Sequence, residues 1–305
     1  MHRRGGLRQS SQPQGRRYSL LAALMLAALV ADAAAALAPA LASTFLDRPG
    51  RRAADAGDPC ARAVGQILVD GDFNGTGAVV AHARVVLTNA HVVAEDGRVR
   101  RRVRFRLPAR TAAAAFGKAA AVERRGTVVA VGAADPARGG RHAKDWALVV
   151  LDAPVPDGVQ PLRVVADTPE HSASSGRPLA LIGFHDDIGD GEVETISAPC
   201  TADAVIDGRL THDCAMMHGA SGAPLLDRDG GETGGGPRGC RIVGINLGAF
   251  GSSRTDVAYS SRPGPRLSAN QAVPAAAFRN AVAEVAAAVE SGIPADRIRR
   301  ARRHR

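Results

Sequence analysis

An all-β chain of two barrels closed by a C-terminal helix is what this sequence predicts, and three observations predict it. The apolar residues come in short, β-branched runs; a Pro-rich break divides those runs into two sets; and one segment with helical spacing follows the second set. The first set occupies 64–69, 78–80, 84–87, 127–131 and 147–151, each run bounded by Gly, Asp or Asn. Too short for helices and rich in Val, these runs read as strands of a first barrel over 63–152, preceded by an irregular lead-in at 43–62. Residues 153–161 hold three Pro and one Gly, a linker composition. The second set, at 179–183, 192–196, 223–226 and 241–247, places a second barrel within 162–273, with 229–239 and its six Gly as an exposed loop. Residues 274–291 carry Phe278, Val282, Val285 and Val289 at helical spacing, and the Arg-rich 292–305 reads as a disordered tail.

Charge excludes one class of function. The chain of 305 residues carries 39 Lys and Arg against 30 Asp and Glu, a formal net charge of +9. Five of those Arg lie within 1–17 and six within 297–305, with no acid in either stretch, so 18–296 holds 28 basic and 30 acidic residues. A near-neutral body with only 3% aromatic residues offers neither the cationic surface nor the stacking platforms of a nucleic-acid binder. Arg98, Arg100, Arg102, Arg104 and Arg106 alternate with Val99, Arg101, Val103, Phe105 and Leu107. That period of two puts guanidinium groups on one strand face: either an anionic-ligand stripe or, more simply, a solvated edge that resists sheet-to-sheet pairing.

The leader explains part of the charge. Arg16 and Arg17 precede an uncharged apolar run at 18–30, then Asp32, then an Ala-rich stretch ending in Ala40-Leu41-Ala42. This is a secretory signal pattern over 1–42. The apolar core before Asp32 is about 13–14 residues, short of the roughly 20 that a spanning helix needs. Secretion or periplasmic export is expected; the alternative, a retained signal anchor, would hold the chain on a membrane. Four cysteines follow the leader, Cys60, Cys200, Cys214 and Cys240, with no C-x-x-C pair, so no metal site is expected. In an exported chain they make two disulfides with three possible connectivities. Cys200 with Cys214 closes a short loop and is favoured, leaving Cys60 with Cys240.

Three segments carry chemistry. Thr88-Asn89-Ala90-His91 ends an apolar strand, Asp145-Trp146-Ala147-Leu148 enters another, and Gly219-Ala220-Ser221-Gly222-Ala223-Pro224 follows in the second half. A Ser hydroxyl is a weak nucleophile and needs a base such as His91 within hydrogen-bond reach. A buried carboxylate, Asp145, would fix the imidazole tautomer and stabilise the imidazolium. Glycines around Ser221 would let the N–H groups of Gly219 and Ser221 converge on a developing oxyanion. The other histidines form no H-E-x-x-H or i, i+4 pair: His82, His142 and His185 are expected at the surface, and His218 beside the cleft.

The order His91, Asp145, Ser221, with T-N-A-H, D-W-A-L and G-A-S-G-A-P around them, resembles the chymotrypsin-like (trypsin-fold) serine endopeptidases, nearer to their bacterial glutamyl-endopeptidase-like branch than to the digestive enzymes. The spacings, 54 and 76 residues, suit one barrel giving His and Asp and the next giving Ser. The resemblance spans roughly 63–290. It implies two perpendicular six-stranded Greek-key β-barrels with the site in the crevice between them, a peptide or protein substrate, an acyl-enzyme, no cofactor, and a monomer. Four departures shape the expectation. Ala220 stands where zymogen-activated members have an Asp that pairs with a new N-terminal amine, and no Ile-Val-Gly-Gly start is present. Val92 replaces the Cys that often bridges beside the catalytic His. Ala215 replaces the Asp that binds Arg or Lys substrates, so cleavage after a cation is disfavoured. Asn246 stands where glutamyl endopeptidases have His. A pocket lined by Ala215, Met216 and Leu247, with Asn246 beside them, would suit a small or medium apolar side chain. The rival expectation is a catalytically silent trypsin-fold domain that binds a peptide in the same cleft.

Overall fold

In the computed structural model, residues 50–95, 98–109, 121–132, 143–165, 167–228, 240–249 and 270–303 are described. The expected signal segment, the Gly-rich loop 229–239 and His142 lie outside them. The strands of the first half are β1 (Arg52–Ala53), β2 (Val64–Val69), β3 (Asp72–Val79) and β4 (Val85–Thr88), then a single helical turn α1 (Ala90–Val93), then β5 (Ala94–Glu95), β6 (Arg98–Val99), β7 (Val103–Leu107), β8 (Val122–Val131) and β9 (Ala147–Leu151). Six of them close a barrel in the order β2-β3-β4-β9-β8-β7, every pairing antiparallel. Asp70-Gly71 makes the β2–β3 turn with both φ angles positive, the twist that a two-residue hairpin needs. Ile67, Val79, Val86, Leu87, Phe105 and Leu148 are buried on the two faces of its wall, with 1% exposure or less.

The second half runs β10 (Arg163–Val164), α2 (Pro169–Ser174), β11 (Leu179–Phe184), β12 (Glu194–Cys200), β13 (Ala202–Ile206), β14 (Arg209–His212), β15 (Pro224–Asp227), β16 (Arg241–Ala249) and β17 (Asn270–Pro274). Its sheet follows the path β1-β12-β11-β15-β16-β17-β14-β13, with β10 parallel to β16. Apart from β1, which flanks β12, the path begins and ends in one stretch of chain, β12 and β13. Only Thr201 separates β12 from β13, so the chain pairs with β11 up to Cys200 and with β14 beyond it. The bend therefore returns the sheet on itself and gives six strands in a ring, β12/β13, β11, β15, β16, β17 and β14. Thr201 N–H donates to Asp213 Oδ1 at 2.6 Å, Asp213 N–H donates back to the Thr201 carbonyl at 3.1 Å, and the Cys200–Cys214 disulfide staples the same corner.

Two helices end the described chain, α3 (Arg279–Glu290) and α4 (Ala295–Arg303). Ala281, Val282, Val285 and Val289 are the buried stripe of α3, which packs on β4 and β9 of the first barrel, while α4 lies on β8. The second disulfide, Cys60–Cys240, joins the residue just before the first barrel to the residue that opens β16. Both pairings are those the sequence favours. Among the described residues no helix is long and apolar enough to cross a membrane.

Four expectations are corrected. Arg297 to Arg303 belong to a helix, not a disordered tail, because Ile298 is 6% exposed against the barrel, Arg302 pairs with Glu284 and Asp296 with Arg300 one turn on. The lead-in is not wholly irregular, since Arg52–Ala53 adds a strand to β12. The Arg row does not mark a sheet edge: β7 has β2 on one side and β8 on the other, and Arg104 and Arg106 are spent on Glu123 and Glu192. The final helix begins later than 274, because 270–274 is the strand β17 and 275–277 a tight 3-10 turn.

The Cys60–Cys240 bridge spans 180 residues and ties the two barrels together. Replacing both cysteines by Ser should lower the unfolding free energy by about 2–5 kcal/mol in urea titrations.

Candidate active site

Strand β3 is where the site is assembled. Asn74 and Thr76 sit two residues apart, on one face and roughly 7 Å along the strand. Asn74 Nδ2 donates to the Val92 carbonyl at 2.5 Å and so holds α1, the turn that carries His91. Thr76 holds the loop around Ser221: its N–H donates to the Ser221 carbonyl at 2.8 Å, and its hydroxyl donates to the Gly219 carbonyl at 2.9 Å. The same hydroxyl accepts the Phe184 N–H at 3.1 Å, and the Thr76 carbonyl accepts from Thr88 Oγ1 at 2.7 Å. With no exposure, Thr76 is a fully satisfied polar bolt from the first barrel into the second.

His91 and Asp145 meet at the end of β4 and the start of β9. The His91 Nδ1 lies 2.7 Å from Asp145 Oδ2, and the His91 N–H donates to Asp145 Oδ1 at 3.0 Å. Asn89, the residue before α1, donates from Nδ2 to the Asp145 carbonyl at 2.7 Å. The Asp145 carboxyl is nearly inaccessible. Burial alone would raise its pKa, but the His91 side chain and the N–H groups of His91 and Ala90 outweigh it and hold the carboxyl below its ordinary value. The carboxylate thus stays charged and accepts the Nδ1 proton of His91. His91 and Ser221 both remain partly exposed to solvent.

The loop 217–223 is organised around its amides. Ala220 N–H donates to the Met217 carbonyl, Gly222 N–H to the Asn246 carbonyl and Ala223 N–H to the Ala220 carbonyl. The N–H groups of Gly219 and Ser221 donate to no group among the described residues. Gly219 has φ 88° and Gly222 φ 83°. A Cβ at Gly222 would stand 2.2 Å from the Thr76 carbonyl oxygen, so only Gly lets the loop close on β3.

The four residues expected to line a specificity pocket are buried. Asn246 and Leu247 have no exposure, and Ala215 and Met216 keep 5% and 7%. Asn246 Nδ2 donates to the Ala220 carbonyl at 2.9 Å, which turns its Oδ1 toward His212 Nε2 at 3.2 Å. That network requires Nε2 of His212 to carry the proton. Burial pushes the His212 pKa down to about 4. His185 is a correction: expected at the surface, it is 1% exposed, its Nδ1 accepts the Met217 N–H at 3.0 Å, and burial brings its pKa down to about 3. His82 is half-buried and His218 exposed.

The chain belongs to the trypsin-like peptidase family: residues 75–234, just over half its length, match the family's peptidase domain. That stretch includes His91, Asp145 and Ser221. Among solved structures, a Glu endopeptidase is 16% identical with a TM-score of 0.56 over 80% of this chain and 99% of its own. Neuropsin, a serine protease of mouse brain, is 12% identical with a TM-score of 0.52, covering 76% of this chain and 97% of its own. Human heparin binding protein is 16% identical with a TM-score of 0.51, covering 77% and 95%. At such identities the likeness is one of fold. No curated protein sequence matches the chain.

Two measurements check this network. Thr76→Val keeps the shape but leaves the Gly219 carbonyl and the Phe184 N–H buried without the hydroxyl, and should cost on the order of 2 kcal/mol in urea unfolding. His185 and His212 bind a proton far less readily when folded than the ordinary 6.5 allows. The unfolded chain therefore takes up more protons below pH 6.5, and stability falls as pH drops from 6.5 toward 4, by up to about 1.4 kcal/mol per pH unit for each group. Unfolding titrations at pH 7, 5.5 and 4.5 should show that slope, and His212→Gln should remove one group's share.

Proposed function

We propose that the chain is an exported serine endopeptidase in which Ser221 is the nucleophile, His91 the general base and acid, and Asp145 the group that orients His91. One observation carries this reading above the rest. In the run from Gly219 to Ala223 the N–H groups of 220, 222 and 223 are consumed internally, and those flanking them at 219 and 221 are left for an external acceptor. Two unspent amides at and near a partly exposed Ser are the donors that a developing oxyanion would need.

His91 Nε2 takes the Ser221 proton as Oγ attacks the scissile carbonyl carbon. The negative charge passes to the carbonyl oxygen and is held by the Gly219 and Ser221 amides. The imidazolium, stabilised by Asp145, then protonates the departing amine as the tetrahedral intermediate collapses to an acyl-enzyme. Water, deprotonated by His91, attacks the ester and restores Ser221. No cofactor enters these steps. Ala215 and Met216 favour a small or medium apolar side chain at the cleaved bond, since neither offers a charge for a basic or acidic one. Two disulfides accord with an oxidising compartment and hence with export.

The purified mature protein should react with a fluorophosphonate probe, and Ser221→Ala and His91→Ala should each abolish labelling while remaining folded. Asp145→Asn should lower the labelling rate by roughly 10³–10⁴, because the imidazole is then held in the wrong tautomer. A folded wild type that does not label would instead make this a silent domain that binds peptides in the same cleft.

A further inference from the structure

A strap precedes the first barrel. Gly50 sits against Ala215, where an added Cβ would stand 2.9 Å from the Ala215 Cβ. Arg52–Ala53 pairs with Ile196 and Thr195 of β12, and Ala54 N–H donates to the Glu194 carbonyl at 2.9 Å. Between these anchors Arg51 turns inward. Its guanidinium has no exposed side-chain surface and forms a two-pronged bond with Asp187, Nη1 to Oδ1 at 3.0 Å and Nη2 to Oδ2 at 2.7 Å. A long cation buried this way is expensive unless its partner matches it, and the planar fork does match a carboxylate.

Asp187 belongs to the turn 185–188, and that turn grips the chain leading to Ser221 at two points. His185 Nδ1 accepts the Met217 N–H at 3.0 Å, and Asp186 N–H donates to the His218 carbonyl at 3.0 Å. His185 can accept only while its ring is neutral. Burial is the main reason that it stays so, and the Arg51 charge acts in the same direction. Met217 in turn accepts the Ala220 N–H, so the register set at 217 decides which amides of 219–221 are spent and which are free.

We propose that Arg51 is a positioning residue for the nucleophile loop. By clamping Asp187 it fixes the 185–188 turn, which fixes Met217 and His218, which aim the Gly219 and Ser221 amides. The lead-in is thereby a built-in ordering element, supplied by an internal side chain with no need for a free N-terminus. This inference rests on the serine-peptidase reading for its kinetic consequence but not for its structural one.

The experiment compares wild type, Arg51→Gln and Arg51→Lys in the full mature chain. Two quantities are read: the second-order rate of fluorophosphonate labelling, and amide hydrogen exchange across 215–221 by mass spectrometry. Gln removes the Arg51 charge and the fork that grips Asp187, while Lys keeps the charge but not the fork. Labelling should fall tenfold or more in Arg51→Gln and by a smaller factor in Arg51→Lys, with exchange at Met217 accelerating in the same order. Wild-type labelling in a folded Arg51→Gln, or unchanged exchange at Met217, overturns the proposal. If Arg51→Gln does not fold, Arg51→Lys decides alone: unchanged labelling and exchange reject the strap. If wild type itself does not label, the peptidase reading fails, and the exchange arm still decides whether Arg51 orders the loop.

Discussion

The hydrogen bonds that Thr76 sends across the barrel interface are what the rest of the site depends on. A strand of the first barrel donates its N–H to the Ser221 carbonyl and its hydroxyl to the Gly219 carbonyl. The two halves of the chemistry come from different barrels, so some contact must set their distance. Apolar packing alone is too forgiving for that task, because side chains of similar volume interchange at little cost. Directional bonds to backbone carbonyls are not so forgiving. The Asn74 bond to α1, two residues away on the same strand, refers the imidazole to the same origin.

Around that seam the polar groups are arranged in layers. Asp145 is buried and charged because three donors face it; His185 and His212 are buried and neutral because burial disfavours their charged form more than nearby groups favour it. Asn246 joins these layers, with its amide on the Ala220 carbonyl and its oxygen toward His212. The nucleophile loop is thus held from three sides, by β3, by the turn at 185–188 and by β16. Each contact leaves the Gly219 and Ser221 amides untouched.

What could be read in the sequence divides by cause. The family was legible because its local contexts, T-N-A-H, D-W-A-L and G-A-S-G around His91, Asp145 and Ser221, are short runs that a sequence displays directly. The apolar strands were legible for the same local reason. The first half of β8 was not: Glu123, Arg124 and Arg125 remove its apolar rhythm, and it is a strand only because β7 pairs with it from Val122 to Gly126. β13 and β14 are short and half polar, and their hairpin shows itself only through the Asp207-Gly208 turn. The roles of Thr76 and Arg51 are set by partners more than a hundred residues away, which no local pattern encodes. The one sequence signal near Thr76 is its place between Gly75 and Gly77. For α4, arginine density hid a helix whose anchor is a single Ile298.

The Cys60–Cys240 bridge has a consequence for a molecule that would share its surroundings with proteolytic activity, its own included. Any single backbone cut between residues 60 and 240 leaves two pieces that still share a covalent bond. Cuts within 201–213 are enclosed a second time by Cys200–Cys214. Because the barrels are also joined through the seam, a nicked molecule keeps its parts in register and would migrate as one species until its thiols are reduced. The bridge makes the fold tolerant of damage to its own chain.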